Sequence, residues 1–125
     1  MPKIVAELFQ IGTVMDVEGD VSTLEVFPEY QDALHRIEDR DCIVILFWIP
    51  ISRDVLKVHP RGDRSRPIRG VFSTRSPARP NNIGVTEVRL LERKGNIIKV
   101  KGLDAFKDTA IIDIKSCWRK DDGHQ

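Results

Sequence analysis

The sequence has few of the residues that most often mark a function. It holds only two cysteines, three histidines, two methionines and a single tyrosine. Cys42 and Cys117 are too few and too far apart for a metal-ligand pattern, so no metal is expected. One opens an apolar run and the other follows one. Both are therefore expected as small, unpaired core thiols, reduced in a cytosolic chain. Long apolar runs are missing too: the longest, Cys42 to Ile51, is about ten residues, too short to span a bilayer. No basic region followed by a cleavable apolar stretch opens the chain. These absences argue against a helical membrane span and lead to the expectation of a soluble, cytoplasmic protein with no membrane partner. No internal repeat, low-complexity tract or linker divides the chain, so one domain is expected over residues 1–118, with a polar tail at 119–125.

Charge of one sign is lacking overall, since the net charge is +1, but its distribution is uneven. Residues 1–58 carry a balance of −6, residues 59–101 a balance of +8 and residues 102–125 a balance of −1. A near-neutral total thus conceals a basic middle suited to an anionic partner such as RNA.

Most of the chain reads as short strands. Val21, Leu24, Val26 and Phe27 lie in a β-favouring stretch, and Cys42 to Ile51 reads as a strand buried on both faces. Val85 to Leu90 alternates apolar with polar residues. Ile97 to Val100 forms a second strand, and the Arg93-Lys94-Gly95-Asn96 turn between them predicts a hairpin over 85–102. Ala110 to Ile114 supplies another strand. Pro28, Tyr30, Leu34 and Ile37 predict one short helix, which carries His35. Gly12 to Val21 reads as a short connection. The fold class is mainly β: a small antiparallel β-barrel with one short helix and long Arg-rich loops.

Residues 59–84 carry the functional argument. Six arginines (Arg61, Arg64, Arg66, Arg69, Arg75 and Arg79) accompany one acid, Asp63, giving a local balance of +5. Each guanidinium is a flat, permanent cation able to grip phosphate or carboxylate at two points or to stack on a base. Prolines and glycines bend and stiffen the segment. Asn81 and Asn82 add amides that can read a base edge or a ribose hydroxyl. The segment contains no nucleophile with its base, no phosphate-cradling glycine loop and no metal cluster.

The blocks VHPRGD, RPIRGVFSTRSPARPNNIGVTEVRLLE and GLDAFKDTAIIDIK, with FPEYQDAL and ILFW upstream in the same order, resemble the signature blocks of the TsaA-like (TrmO-type) family. Members are S-adenosylmethionine-dependent methyltransferases acting on N6 of threonylcarbamoyladenosine in the tRNA anticodon loop. The resemblance implies a compact barrel, a homodimer, S-adenosylmethionine as cofactor and tRNA as partner. It places the cofactor contacts on Arg75, Val85 and the loop Lys107-Asp108-Thr109-Ala110, where the family usually has Asp-Gly-Thr-Pro. Substrate RNA would meet His59, Arg61, Arg64, Arg66, Arg69, Arg79, Asn81 and Asn82. Asp104, in a site expected to be partly buried, is the candidate base for the proton leaving nitrogen.

Three departures stand beside the resemblance. The family's early loop, ending in Pro-Arg-Gln, is missing between Gly12 and Val21. Pro50 and Ile51 replace a polar pair. The 107–110 loop has lost its Gly and Pro. These departures motivate a second reading: a barrel that binds S-adenosylmethionine or RNA and catalyses nothing.

Overall fold

A computed structural model describes residues 3–50 and 55–118. The chain forms two compact units, one from residues 1–47 and 85–125, the other from residues 48–84. No helix among the described residues is long and apolar enough to cross a membrane.

The first unit is the expected antiparallel barrel. Its strands are β1 (Gly12–Glu18), β2 (Val21–Val26), β3 (Cys42–Trp48), β6 (Ile83–Lys94), β7 (Ile97–Lys101) and β8 (Ala110–Ser116), with β4 (Lys57–Val58) and β5 (Arg69–Gly70) falling between β3 and β6 in the chain. They close into a ring in the order β1-β2-β7-β6-β3-β8. Alternation is clearest on β2, where Ser22, Leu24 and Val26 point inward, and on β7, where Ile98 and Val100 do so. Val14, Ile43, Ile45, Phe47, Val88 and Ile111 complete the core. Burying one such side chain contributes about 1.5–3 kcal/mol, which is why this face is apolar on nearly every strand.

Two tight turns set the register. Glu18 pairs with Val21 across Gly19-Asp20, and Lys94 pairs with Ile97 across Gly95-Asn96. Gly19 and Gly95 hold the left-handed backbone such turns require, with φ of 59° and 60°. Asn96 then clips the end of β2: its Nδ2 donates to the Val26 carbonyl at 2.8 Å, and its own carbonyl accepts from the Val26 amide at 2.8 Å. At Gly12, a Cβ would strike the Glu25 carbonyl, so only glycine lets β1 lie this close to β2.

Three expectations change. Gly12–Glu18 is a strand, not a connection; Met15 and Val17 on it are exposed, which blurs the period-two pattern. The predicted helix is a 3-10 segment over Pro28–Leu34 followed by a 3-10 turn over Ile37–Asp39. Arg36, at φ 65°, separates the two and prevents a continuous α-helix. Arg93 secures this stretch by donating to the Leu34 carbonyl at 3.1 Å and to Glu38 Oε1 at 3.2 Å. The Glu38 backbone amide first, then Arg93, hold the Glu38 carboxyl below its usual range.

The cysteines are the third change. Cys42 and Cys117 form a disulfide, with their Cα atoms 5.7 Å apart. Ile43 pairs with Ser116, so the cysteines are the next positions along the β3–β8 register. Strand pairing overrides their separation of 75 residues and places the Glu87 carboxylate within 4.8 Å of both sulfurs. The disulfide occupies both sulfurs, so neither is an unpaired thiol.

Candidate functional site

The 48–84 unit displays the arginines on a short scaffold. Two strands, β4 (Lys57–Val58) and β5 (Arg69–Gly70), pair antiparallel. They flank a loop that includes a 3-10 turn at Pro60–Gly62, where Arg61 and Gly62 adopt φ of 57° and 69°. The His59 ring closes this loop: Nδ1 donates to the Arg66 carbonyl at 2.9 Å. Asp63 accepts from the Ser65 hydroxyl at 2.6 Å and the Ser65 amide at 3.0 Å, and lies 3.5 Å from Arg66 Nε. The Ser65 hydroxyl, then its amide, then the charge of nearby His59 hold the Asp63 carboxyl below its usual range.

Beyond β5, the turn carrying Arg75 is fastened on both sides. Thr74 Oγ1 donates to the Val71 carbonyl at 2.9 Å, and the Ser76 amide donates to Thr74 Oγ1 at 3.2 Å. Arg79 Nη1 donates to the carbonyls of Thr74 at 3.2 Å and Ser76 at 2.9 Å. Arg75 projects from this turn into solvent.

The six arginines therefore divide by role. Arg79 is spent on the backbone of its own turn, and Arg66 faces Asp63. Arg61, Arg64, Arg69 and Arg75 are exposed and have no side-chain hydrogen bond or ion pair among the described residues. The sequence reading assigned His59 and Asn82 to RNA as well, but both serve the unit's own fold. Asn82 is buried, its Nδ2 donating to the Ile49 carbonyl at 3.1 Å and its carbonyl accepting from the Ile49 amide at 2.8 Å. Its Oδ1 is buried with no partner among the described residues. Asn81 is exposed.

In the barrel unit, the 102–109 connection between β7 and β8 hooks onto β1. The Asp108 amide donates to the Val14 carbonyl at 2.8 Å, and the Val14 amide donates to the Thr109 carbonyl at 3.0 Å. Asp108 has φ 72°, a left-handed conformation that favours glycine and that Asp tolerates better than most residues. In the family's Asp-Gly-Thr-Pro pattern the Gly falls on this position. The pattern's Asp falls on Lys107. Lys107 and Asp108 are exposed, while Thr109 and Ala110 are partly so; Val85, on β6, is also exposed. Asp104 is exposed on the same connection, so the partial burial on which its role as base rested is not there.

A cavity of about 740 Å³ in the barrel unit lies between the 3-10 stretch and strands β3 and β8, with Leu34, Ile37, Ile43 and Ile114 among its walls. None of the sequence-predicted site residues lines it. Ile51 and the 119–125 tail, with His124, lie outside the described residues.

Known proteins resemble this chain over most of its length. An S-adenosyl-L-methionine-binding protein of Archaeoglobus fulgidus is 48% identical over 96 residues, covering 76% of this chain and 68% of its own length. A probable S-adenosyl-L-methionine-binding protein of Methanothermobacter thermautotrophicus is 48% identical over 98 residues, covering 78% and 69%. A second A. fulgidus protein, described as a probable S-adenosyl-L-methionine-binding protein, is 48% identical over 93 residues, 74% of this chain; that stretch is 25% of the relative's length. The crystal structure of TrmO from Pseudomonas aeruginosa superposes with a TM-score of 0.68 at 25% identity, over 91% of this chain and 56% of that one. The chain thus spans little more than half of the solved TrmO and a quarter of one curated relative. Residues 10–123 match the tRNA-methyltransferase O N-terminal domain, and the chain belongs to that family.

Proposed function

We propose that the chain is an S-adenosylmethionine-dependent methyltransferase domain acting on N6 of threonylcarbamoyladenosine in the tRNA anticodon loop. The observation that carries this reading is Arg75: an unpaired guanidinium on a turn whose backbone is fixed by Thr74, Ser76 and Arg79, at the position where the family pattern puts its cofactor-binding arginine. Arg75 would hold the cofactor's carboxylate. Asp108 and Thr109 would bind its ribose or amino groups, and Val85 its base. Bound S-adenosylmethionine supplies an electrophilic methyl on a sulfonium. The protein's part is to align the accepting nitrogen with that methyl and to hold the RNA through Arg61, Arg64 and Arg69. Calorimetric titration of S-adenosylmethionine into the wild type and Arg75→Ala, followed by mass analysis of threonylcarbamoylated tRNA, tests the proposal. A wild type that binds cofactor but leaves that tRNA unmethylated would remove the substrate assignment.

Asp104 is exposed to solvent, so it is not favoured as the positioned base in this scheme. Asp104→Asn is expected to lower the methylation rate by less than about tenfold, against the 10²–10⁴-fold typical of a positioned general base. Single-turnover rates would check this, and a loss of about a hundredfold or more would restore Asp104 to that role.

A second reading, a barrel that binds S-adenosylmethionine or RNA without catalysis, is favoured by the β1–β2 hairpin. Its two-residue turn at Gly19-Asp20 leaves no room for the Pro-Arg-Gln loop. Cofactor binding without any methylated product from tRNA would support it.

A further inference from the structure

The 48–84 unit exposes an aromatic ring where apolar residues are expected to turn inward. Val71–Ser73 forms a 3-10 turn in which Val71 is 2% exposed and the next residue, Phe72, is 81% exposed. The turn is tied on each side. The Val71 amide donates to the Leu56 carbonyl at 2.9 Å, and the Thr74 amide and hydroxyl both donate to the Val71 carbonyl, at 3.1 Å and 2.9 Å. Ser73 Oγ donates to the Gly70 carbonyl at 2.8 Å. With Val71 buried and its neighbours bonded, Phe72 cannot turn inward without breaking these bonds.

The surroundings decide what such a ring could meet. Arg69 and Arg75 lie three residues to either side, both exposed and without a side-chain hydrogen bond or ion pair among the described residues. Asp63 is the one acid among the unit's described residues, and it is engaged by Ser65 and Arg66. Leu56 and Ile68 add exposed apolar surface in the same unit. A rigid ring amid guanidinium groups matches a polyanion that also carries flat, unstacked aromatic faces, which is the chemistry of single-stranded nucleic acid. An acidic peptide would satisfy the cations but offer the ring little.

We infer that Phe72 is a stacking platform for an unpaired base, with Arg69 and the exposed arginines Arg61 and Arg64 holding the flanking phosphates. This rests on the RNA-binding part of the proposed function and adds to it a specific contact for a splayed base. Stacking on an aromatic side chain corresponds to roughly 5- to 150-fold in affinity per base.

The test is fluorescence anisotropy with a labelled single-stranded RNA and the same strand carrying abasic sites. Wild type, Phe72→Ala, Phe72→Leu and Phe72→Tyr are compared, with thermal unfolding and sedimentation run on each. Phe72→Ala and Phe72→Leu are expected to lose roughly 5- to 150-fold on intact RNA and little on the abasic strand. Phe72→Tyr should bind like the wild type. Tight binding by wild type with no loss in Phe72→Ala would overturn the stacking role while leaving the RNA reading in place. So would full affinity in Phe72→Leu, which would mark a merely apolar contact. A change in sedimentation of Phe72→Ala with RNA affinity intact would assign the ring to contact between copies of the chain, against this inference. Wild type that binds neither strand would sink the RNA reading and this inference with it.

Discussion

Replacing Cys42 and Cys117 together with serine should lower the free energy of unfolding by about 2–5 kcal/mol. The bridge joins positions 75 residues apart. In the chain-entropy description, closing a loop of that size removes about 4.5 kcal/mol worth of freedom from the unfolded state. The native state gains as well, because the bond joins the beginning of β3 to the residue just after β8. Denaturant unfolding of the oxidised protein, the reduced protein and the double variant would measure the effect. The oxidised form should be the most stable of the three, and the other two should nearly coincide. A difference below about 1 kcal/mol between oxidised and reduced protein would show that the barrel's closure owes little to the cross-link.

Arg75→Ala should weaken S-adenosylmethionine binding by roughly 10- to 150-fold, if the guanidinium holds the cofactor's carboxylate as proposed. That range is the affinity equivalent of losing a charge-assisted hydrogen bond worth about 1.5–3 kcal/mol. Arg75→Lys should recover only part of the loss, since an ammonium supplies the charge without the two-point fork. The turn itself should survive both changes, because its backbone is held by Thr74, Ser76 and Arg79 and not by Arg75. Unchanged affinity in Arg75→Ala, read by calorimetry, would move the cofactor's carboxylate elsewhere.

Much of the barrel was legible because it is written in local patterns. Val88 and Leu90 alternate with Glu87 and Arg89, Gly95-Asn96 marks the turn that follows, and Cys42 onward is an apolar run; each became a strand or a turn close to where the sequence put it. What failed to show depends on partners distant in the chain. The disulfide follows from the β3–β8 register, which no spacing within the sequence encodes. β1 was missed because Gly12 and Val14 are its only buried residues. The 3-10 stretch deceived because Tyr30, Leu34 and Ile37 have α-helical spacing, while Arg36 takes a left-handed backbone that interrupts it. In residues 59–84, counting arginines marks the segment but does not sort them. Arg79 differs from Arg75 only in where its guanidinium finds carbonyls, and that is decided by the folded turn. Phe72 is an aromatic residue between Gly-Val and Ser-Thr-Arg, a feature that a count of charges does not register.

The division among the arginines also fixes how binding should respond to salt. A cation already facing a carboxylate or donating to backbone carbonyls has little left with which to displace ions condensed on RNA. Of the six in residues 59–84, only Arg61, Arg64, Arg69 and Arg75 are free to do so by their described contacts. With Arg75 assigned to the cofactor's carboxylate, counterion release by the other three contributes a log–log slope of affinity against salt of about 2 in magnitude, although the composition of the segment suggests a steeper one.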